Sequence, residues 1–255
     1  MMKQLQSLVV AFSMYSALPM PHIEWNKENM RFCLCYFPLV GAAVGGLLIL
    51  WSYLSGLASF GTLFRSVVFV LIPLLVTGGI HMDGFMDTVD AVSSHQPREK
   101  KLEILKDSHA GAFAILYCGI YLLAALGIWS EVEGLRQVLI LAAGCIFSRA
   151  LSGFAISRFT CAKKSGLVYT FSNAADRKRA GQILLVEAVA SGVLMLLIQP
   201  LMGLGALAAG LLVFLFYRQF SYRIFGGITG DLAGFFLQMA ELFMALAVML
   251  IGKVL

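Results

Sequence analysis

The chain of 255 residues is 60% hydrophobic and only 13% charged, with a mean hydropathy of +0.86. Soluble domains carry about 25% charged residues, so this composition excludes an ordinary soluble enzyme. It predicts an all-α fold, with residues 1–255 forming one polytopic helical bundle in a lipid bilayer. The net charge of +5 comes from cations beside apolar segments, a distribution that indicates membrane orientation and no nucleic-acid partner.

About seven apolar segments are long enough to span a bilayer, which takes roughly 20 residues. These spans are predicted at 32–57, 66–82, 110–130, 134–157, 181–199, 201–217 and 232–252. A further apolar segment, 5–19, is short and is followed by prolines, which favours a short re-entrant or interfacial helix. In the first span, the spacing of Gly41 and Gly45 permits another helix to approach closely.

The distribution of Lys and Arg predicts the orientation of these spans. With the N-terminus inside, only Arg65, Arg136 and Lys253 lie in outside segments, while most other cations lie in inside ones. The positive-inside rule therefore predicts a multi-pass protein of the cell (inner) membrane. Its long polar loops, at 83–109, 158–180 and 218–231, would all face the cytoplasm.

Three carboxylates follow the second predicted span. Asp83, Asp87 and Asp90 are spaced i, i+4 and i+7, so they share one face of a helix, and no cation lies between them. Mg²⁺ takes one or two carboxylates together with substrate phosphates and water, so we expect a magnesium site here. The alternative is a solvated acidic helix start, where the helix dipole favours negative charge.

Other polar residues of the same loop are candidates with a structural alternative. His81 could be a ligand or proton carrier, or simply an interfacial hydrogen-bonding group. Lys106 places a cation near a possible phosphate site. Asp107 or Ser108 could belong to that site, or either could cap the next helix.

The later loops and spans add further candidates. Lys163 could bind a diphosphate, although basic clusters beside a membrane usually determine topology. In the run Gly226–Gly234, glycines let backbone amides approach an anion, and Asp231 at the head of a span can hold a metal. Arg149 and Glu187 are charges within spans and are therefore functional candidates. The structural alternative is that they form a buried pair with each other.

The five cysteines form no C-x-x-C motif. Cys33 and Cys35 lie in an apolar run, and we expect the cysteines to serve in apolar packing and not in a zinc or redox site.

Taken together, these runs resemble the adenosylcobinamide-GDP ribazoletransferase family, the cobalamin synthases. Gly78-Gly-Ile-His-Met-Asp83-Gly-Phe-Met-Asp87-Thr-Val-Asp90 looks like the family's signature, and Leu102-Glu-Ile-Leu-Lys106-Asp107-Ser108 looks like its second motif. Tyr36–Gly41 and Gly227–Asp231 are similar to two more of its motifs. The likeness extends from about residue 36 to 241.

The resemblance implies the joining step of coenzyme B12 assembly. Adenosylcobinamide-GDP would react with α-ribazole, or its 5′-phosphate, to give adenosylcobalamin, or its 5′-phosphate, and GMP. Mg²⁺ would be the cofactor. The resemblance leaves open whether the chain forms a homo-oligomer or docks to other enzymes of the pathway.

Our hypothesis for the residues follows the chemistry of a diphosphate donor. Asp83 and Asp87 would hold Mg²⁺, Asp90 or Asp231 would orient or deprotonate the ribazole hydroxyl, and Lys106 and Arg149 would stabilise the leaving GMP. The expected substrate-binding residues are His81, Asp107, Ser108, Lys163, Gly227, Thr229 and Gly230.

Three rival functions are weighed against this one. A CDP-alcohol phosphatidyltransferase, the nearest rival, would place Ala-Arg within the aspartate motif, and no such pair lies between Asp83 and Asp90. An aspartate-rich prenyltransferase would need two D-x-x-x-D boxes, and only Asp83 and Asp87 fit one. A transporter would be supported by inverted hydropathy repeats, and none is evident.

Overall fold

The computed structural model describes residues 2–107 and 109–255. Across that part of the chain the secondary structure is helical, apart from an isolated bridge between Cys161 and Ile228. In chain order the helices are α1 Met2–Tyr15, α2 Lys27–Met30, α3 Phe37–Leu57, α4 Thr62–Thr77, α5 Ile80–Ser93, α6 Arg98–Ile104, α7 Ala112–Ser130, α8 Leu135–Arg158, α9 Leu167–Ala174, α10 Arg177–Ile198, α11 Pro200–Phe220 and α12 Gly230–Val254. A 3₁₀ turn, Cys33–Tyr36, leads into α3, and a π-helical turn, Ser221–Phe225, ends α11.

The predicted membrane bundle is confirmed. Within the described part of the chain, six helical segments are long and apolar enough to cross a bilayer, and the bent pair α4–α5 makes seven if it counts as one span. The six are Cys33–Leu57, Ala112–Ser130, Leu135–Arg158, Arg177–Ile198, Pro200–Phe225 and Gly230–Val254. At 14 residues, α1 is about 21 Å long, too short to span a hydrocarbon core of about 30 Å.

The predicted span 66–82 is interrupted. Helix α4 ends at Thr77, α5 begins at Ile80, and the two are bent by 94°. The break occurs because Gly78 and Gly79 both adopt left-handed backbone angles, with φ of 62° and 78°, a conformation that ends a helix and that glycine adopts without a steric penalty. The acidic motif therefore lies on a helix of its own.

Helix α8 forms the centre of the bundle, packed between α3 and α10. The close approach of α3 to α8 depends on Gly41 and Gly45, as their spacing predicts. A Cβ atom at Gly45 would lie 2.8 Å from the carbonyl oxygen of Ala142, and one at Gly41 would overlap the carbonyl of Cys145. Larger residues at either position would push the two helices apart.

A second close crossing joins α5 to the first turns of α12. A Cβ atom at Gly84 would lie 2.7 Å from the carbonyl oxygen of Asp231, and one at Gly234 would lie 2.9 Å from that of His81. Beside this crossing, the rings of Phe85 and Phe235 stack with centroids 5.7 Å apart. The crossing holds the acidic face of α5 beside the start of α12.

The buried charge on α8 has a partner other than the one considered from the sequence. Arg149 is fully buried, and its Nη1 donates to the Cys145 carbonyl oxygen (2.9 Å) and to Glu241 Oε1. Ser148 Oγ donates to the same carboxylate oxygen at 2.9 Å. The alternative prediction of an ion pair between Arg149 and Glu187 is therefore wrong, because the ion pair of Arg149 joins α8 to α12 and not to α10.

Burial agrees with a packing role for three of the cysteines. All five are free thiols; Cys33, Cys35 and Cys145 are buried, and Cys118 and Cys161 are partly exposed.

Candidate active site

A cavity of about 380 Å³ opens where α1, α5, α8 and α9 meet the start of α12. Chain segments that are far apart in sequence contribute polar side chains to its wall. The predicted site residues that line it are His81, Asp83, Lys106, Lys163, Thr229, Gly230 and Asp231.

Three carboxylates lie close together here: Asp83 and Asp231 line the cavity, and Asp87 is near both without lining it. Asp83 is exposed at its edge, while Asp87 lies one turn further along α5 and is half-buried. Asp87 experiences the negative charge of Asp83, Asp231, Asp90 and Asp107. Such a group is electrostatically unfavourable by itself and favours a cation between its members.

The start of α12 presents both a carboxylate and backbone donors. Thr229 caps the helix, since its Oγ1 accepts from the Leu232 amide at 3.2 Å and donates to Asp231 Oδ2 at 3.2 Å. Gly230 is the first residue of the helix and lines the cavity. The free amides of a helix N-terminus attract anions, so this end of the cavity suits a phosphate group.

Two backbone hydrogen bonds bring Lys163 to the same place. The Ala162 amide donates to the Ile228 carbonyl at 2.9 Å, and the Ile228 amide donates to the Thr160 carbonyl at 2.9 Å. Gly227 permits this pairing, because a Cβ atom there would overlap the Thr160 carbonyl oxygen. The function of Gly227 is thus to join the two loops, and it does not line the cavity.

Lys163 is a half-buried cation facing Asp231. Burial lowers the pKa of its ammonium group, the nearby charge of Lys106 acts in the same direction, and the Asp231 carboxylate opposes the shift. Two lysines and two carboxylates therefore share this end of the cavity, as required for binding a diphosphate with a divalent cation.

Comparison with known proteins identifies the family. Residues 7–249 match the family model described as Cobalamin-5-phosphate synthase. The chain belongs to the cobalamin-5-phosphate synthase family.

Three relatives of this protein carry the same name. A protein of Lachnoclostridium phytofermentans is 43% identical over 98% of this chain and 95% of its own length. One from Clostridium botulinum is 30% identical over 93% and 94%, and one from Escherichia coli is 30% identical over 93% and 96%. All three are named adenosylcobinamide-GDP ribazoletransferase. No solved structure matches the chain.

Several predicted site residues of this family member, Asp87 among them, lie outside the cavity wall. Asp90 lies against Gly111, the residue that caps α7. Asp107 is exposed and bound to His109, whose amide donates to Asp107 Oδ1 at 3.0 Å. The suggestion that Asp107 caps α7 is therefore wrong. Ser108 lies outside the described residues, and Arg149 is engaged with Glu241 behind the cavity.

The carboxylates at this cavity are compatible with a magnesium ion. Within residues 2–107 and 109–255, no three His, Cys, Asp or Glu side chains form a ready-made metal cluster. Mg²⁺ does not need one, because it is commonly held by one or two carboxylates together with substrate phosphates and water. Asp83, Asp87 and Asp231 can supply those carboxylates.

The sequence analysis did not predict the residues at the buried inner end of the cavity. Tyr15, Phe37 and Ser152 line it, and none was predicted as a site residue. Tyr15 and Ser152 lie in apolar helices, where a hydroxyl is an ordinary residue. Phe37 lies within the run Tyr36–Gly41, which resembles a family motif, and this was the one available signal.

Proposed function

We propose that this protein transfers the adenosylcobinamide-phosphate group from adenosylcobinamide-GDP to α-ribazole, or to its 5′-phosphate, and releases GMP. The product is adenosylcobalamin or its 5′-phosphate. The observation that carries the proposal is that the runs resembling the family motifs converge on one cavity, in a chain whose relatives are named for this reaction.

The diphosphate of the donor binds at the charged end of the cavity. Lys106 and Lys163 supply positive charge, and the first amides of α12 supply hydrogen-bond donors. Mg²⁺ held by Asp83 and Asp87, with Asp231 opposite, would neutralise charge on the diphosphate.

The reaction is an in-line displacement at phosphorus. The hydroxyl oxygen of ribazole forms a bond to the phosphorus that carries the cobinamide, and the bond from that phosphorus to the bridging oxygen breaks. GMP leaves with the bonding electrons, and its charge is stabilised by the two lysines. The hydroxyl proton passes to a carboxylate of the chain.

Asp231 is the better candidate for that carboxylate. It lines the cavity and is held by Thr229, whereas Asp90 lies against Gly111. Arg149 acts as a positioning residue, because its buried guanidinium connects α8 to α12 through Glu241.

The family match also bears on the rival functions. It does not favour a CDP-alcohol phosphatidyltransferase, since the match of the whole chain is to the cobalamin-5-phosphate synthase family. We further propose that the cavity opens toward the cytoplasm from the inner membrane, in line with the distribution of Lys and Arg.

The test is a product assay on protein in liposomes, with adenosylcobinamide-GDP and α-ribazole, in the presence and absence of Mg²⁺. We expect release of GMP and cobalamin only with Mg²⁺. Asp87→Asn should lower the turnover about 10²–10³-fold, the usual loss for a group that stabilises charge in a transition state.

Asp176→Asn is the matched control. Asp176 is paired with Arg31 and caps α10, away from the cavity, and an asparagine still caps a helix. Full activity of Asp87→Asn would contradict the metal assignment. Absence of product from folded wild-type protein would contradict the reaction itself.

A further inference from the structure

Three buried polar atoms at the inner end of the cavity lack a hydrogen-bond partner among the described residues. They are Tyr15 Oη, His81 Nε2 and Ser152 Oγ. Their residues are 7%, 6% and 1% exposed, and all three line the cavity. A buried polar group without a partner is costly, so three in one cavity indicate that a ligand completes their hydrogen bonds.

The remainder of this inner end is apolar and aromatic. The ring of Phe37 contacts the rings of both Tyr15 and His81, with centroid distances of 4.1 Å and 5.8 Å. Ile156 and Leu237 add aliphatic surface. Such a wall suits a flat heteroaromatic ring with a few polar atoms.

The volume limits the occupant to one small group. Small-molecule sites run from about 300 to 1,000 Å³, so a cavity of about 380 Å³ takes one nucleoside with adjoining phosphate groups and not two nucleosides. A corrin ring with its substituents is several times larger than a nucleoside and stays outside.

Building on the proposed function, we propose that the inner end of the cavity is the base subsite for the acceptor, α-ribazole. Tyr15, Ser152 and His81 supply its hydrogen bonds, and Phe37 supplies its aromatic contact. His81, Asp83 and Asp231 all line this cavity, so the ribose attached to a base at His81 can extend toward Asp83 and Asp231. The attacking hydroxyl then lies at the charged end, where the diphosphate binds.

The chemistry of the wall favours this base over the guanine of the donor. Guanine presents adjacent N–H donors, which a carboxylate matches, and no carboxylate is among the buried lining residues Tyr15, Phe37, His81 and Ser152. The inner end instead offers two hydroxyls and an imidazole, which can donate to a lone pair on a ring nitrogen or to a ribose oxygen. A benzimidazole-type base has one such nitrogen and an otherwise apolar ring.

The test measures equilibrium binding of α-ribazole and of GMP, separately, to the purified protein by calorimetry. Tyr15→Phe and Ser152→Ala each remove one oxygen atom and little else. We expect each variant to weaken the binding of α-ribazole about fivefold, the usual effect of losing one neutral hydrogen bond. The binding of GMP should be unchanged. The KM for α-ribazole should rise by the same factor while the KM for the donor stays constant.

Tyr217→Phe and Ser221→Ala are matched controls. Both residues are buried, both hydroxyls lack a partner within the described part of the chain, and neither lines the cavity. Unchanged binding of α-ribazole to Tyr15→Phe and Ser152→Ala would overturn the subsite. Weaker binding of GMP in place of α-ribazole would overturn it too. Because wild-type turnover is measured separately, either of these results leaves the proposed reaction standing, whereas absent product overturns the reaction.

Discussion

At the scale of single residues, Lys163 gives the cavity a measurable dependence on pH. Burial lowers the pKa of its ammonium group from the ordinary lysine value, which is about 10.4. The side chain is charged below its pKa and neutral above it. The positive charge that we propose binds the diphosphate is therefore lost at a lower pH than the charge of an exposed lysine.

We expect kcat/KM for adenosylcobinamide-GDP to fall on the alkaline side as Lys163 loses its proton. Lys163→Arg keeps its charge through this range, so its alkaline limb should move to higher pH. A bound phosphate favours the charged form of Lys163. The alkaline fall in kcat, which reports the substrate complex, should therefore occur at a higher pH than the alkaline fall in kcat/KM, which reports the free enzyme. The measurement is a pH–rate profile, with the exposed neighbour Lys164→Arg as control. Coinciding profiles for wild type and Lys163→Arg would exclude this role.

At the level of residues, the sequence led to cavity-lining positions that carry a charge and missed those that only three-dimensional packing brings to the cavity. Asp83, Lys106 and Asp231 were found because charges near apolar segments need an explanation. Arg149 was recognised for the same reason, but its partner was not, since both Glu187 and Glu241 lie in spans and helix packing decides between them. Tyr15 and Ser152 carry no charge and nothing distinguishes them in the sequence.

At the scale of helices, the site depends on how closely α5 approaches α12. The contact at Gly84 has no room for a side chain, because a Cβ atom would lie 2.7 Å from the backbone oxygen of Asp231. Gly84→Ala must separate the two helices, and this separation carries Asp83 away from Asp231. The backbone of Asp231 cannot yield as the tip of a flexible side chain can.

We expect Gly84→Ala to destabilise the protein by about 1–3 kcal/mol, the usual cost of overpacking, and to lower turnover with it. The checks are a thermal unfolding curve in detergent and the GMP-release assay. Gly119→Ala in α7 is the matched control, because no atom would lie within 4 Å of its new Cβ. If both variants behaved alike, the close crossing would not be what positions Asp83.

The bend between α4 and α5 shows where sequence reasoning about elements reached its limit. Hydropathy continues past Thr77, so the pattern predicted one span over 66–82. Two successive glycines in a left-handed conformation end the helix there, but glycine within a membrane helix is common and does not by itself indicate a break. The helix face shared by Asp83, Asp87 and Asp90 was nevertheless predicted correctly, because α5 is regular from Ile80 to Ser93.

At the scale of the whole molecule, the direction in which the cavity faces decides which compartment supplies its substrates. Nucleotides are charged and do not cross a bilayer unaided, so the end with Lys106 and Lys163 must open where the donor is made. The distribution of Lys and Arg predicts that this compartment is the cytoplasm. The turn between α3 and α4 would then lie on the opposite side.

Two exposed positions test this orientation. Thr62→Cys lies at the start of α4, and Glu99→Cys lies in α6, in the loop that carries Lys106. A maleimide that cannot cross membranes should label Thr62→Cys in intact spheroplasts, and Glu99→Cys only after permeabilisation. The parent protein measures the background from its native cysteines, of which Cys33, Cys35 and Cys145 are buried. The reverse labelling pattern would place the cavity on the outer face. The charged donor would then have to be exported before it could react, which would make the proposed reaction untenable in the cell even if it proceeded in liposomes.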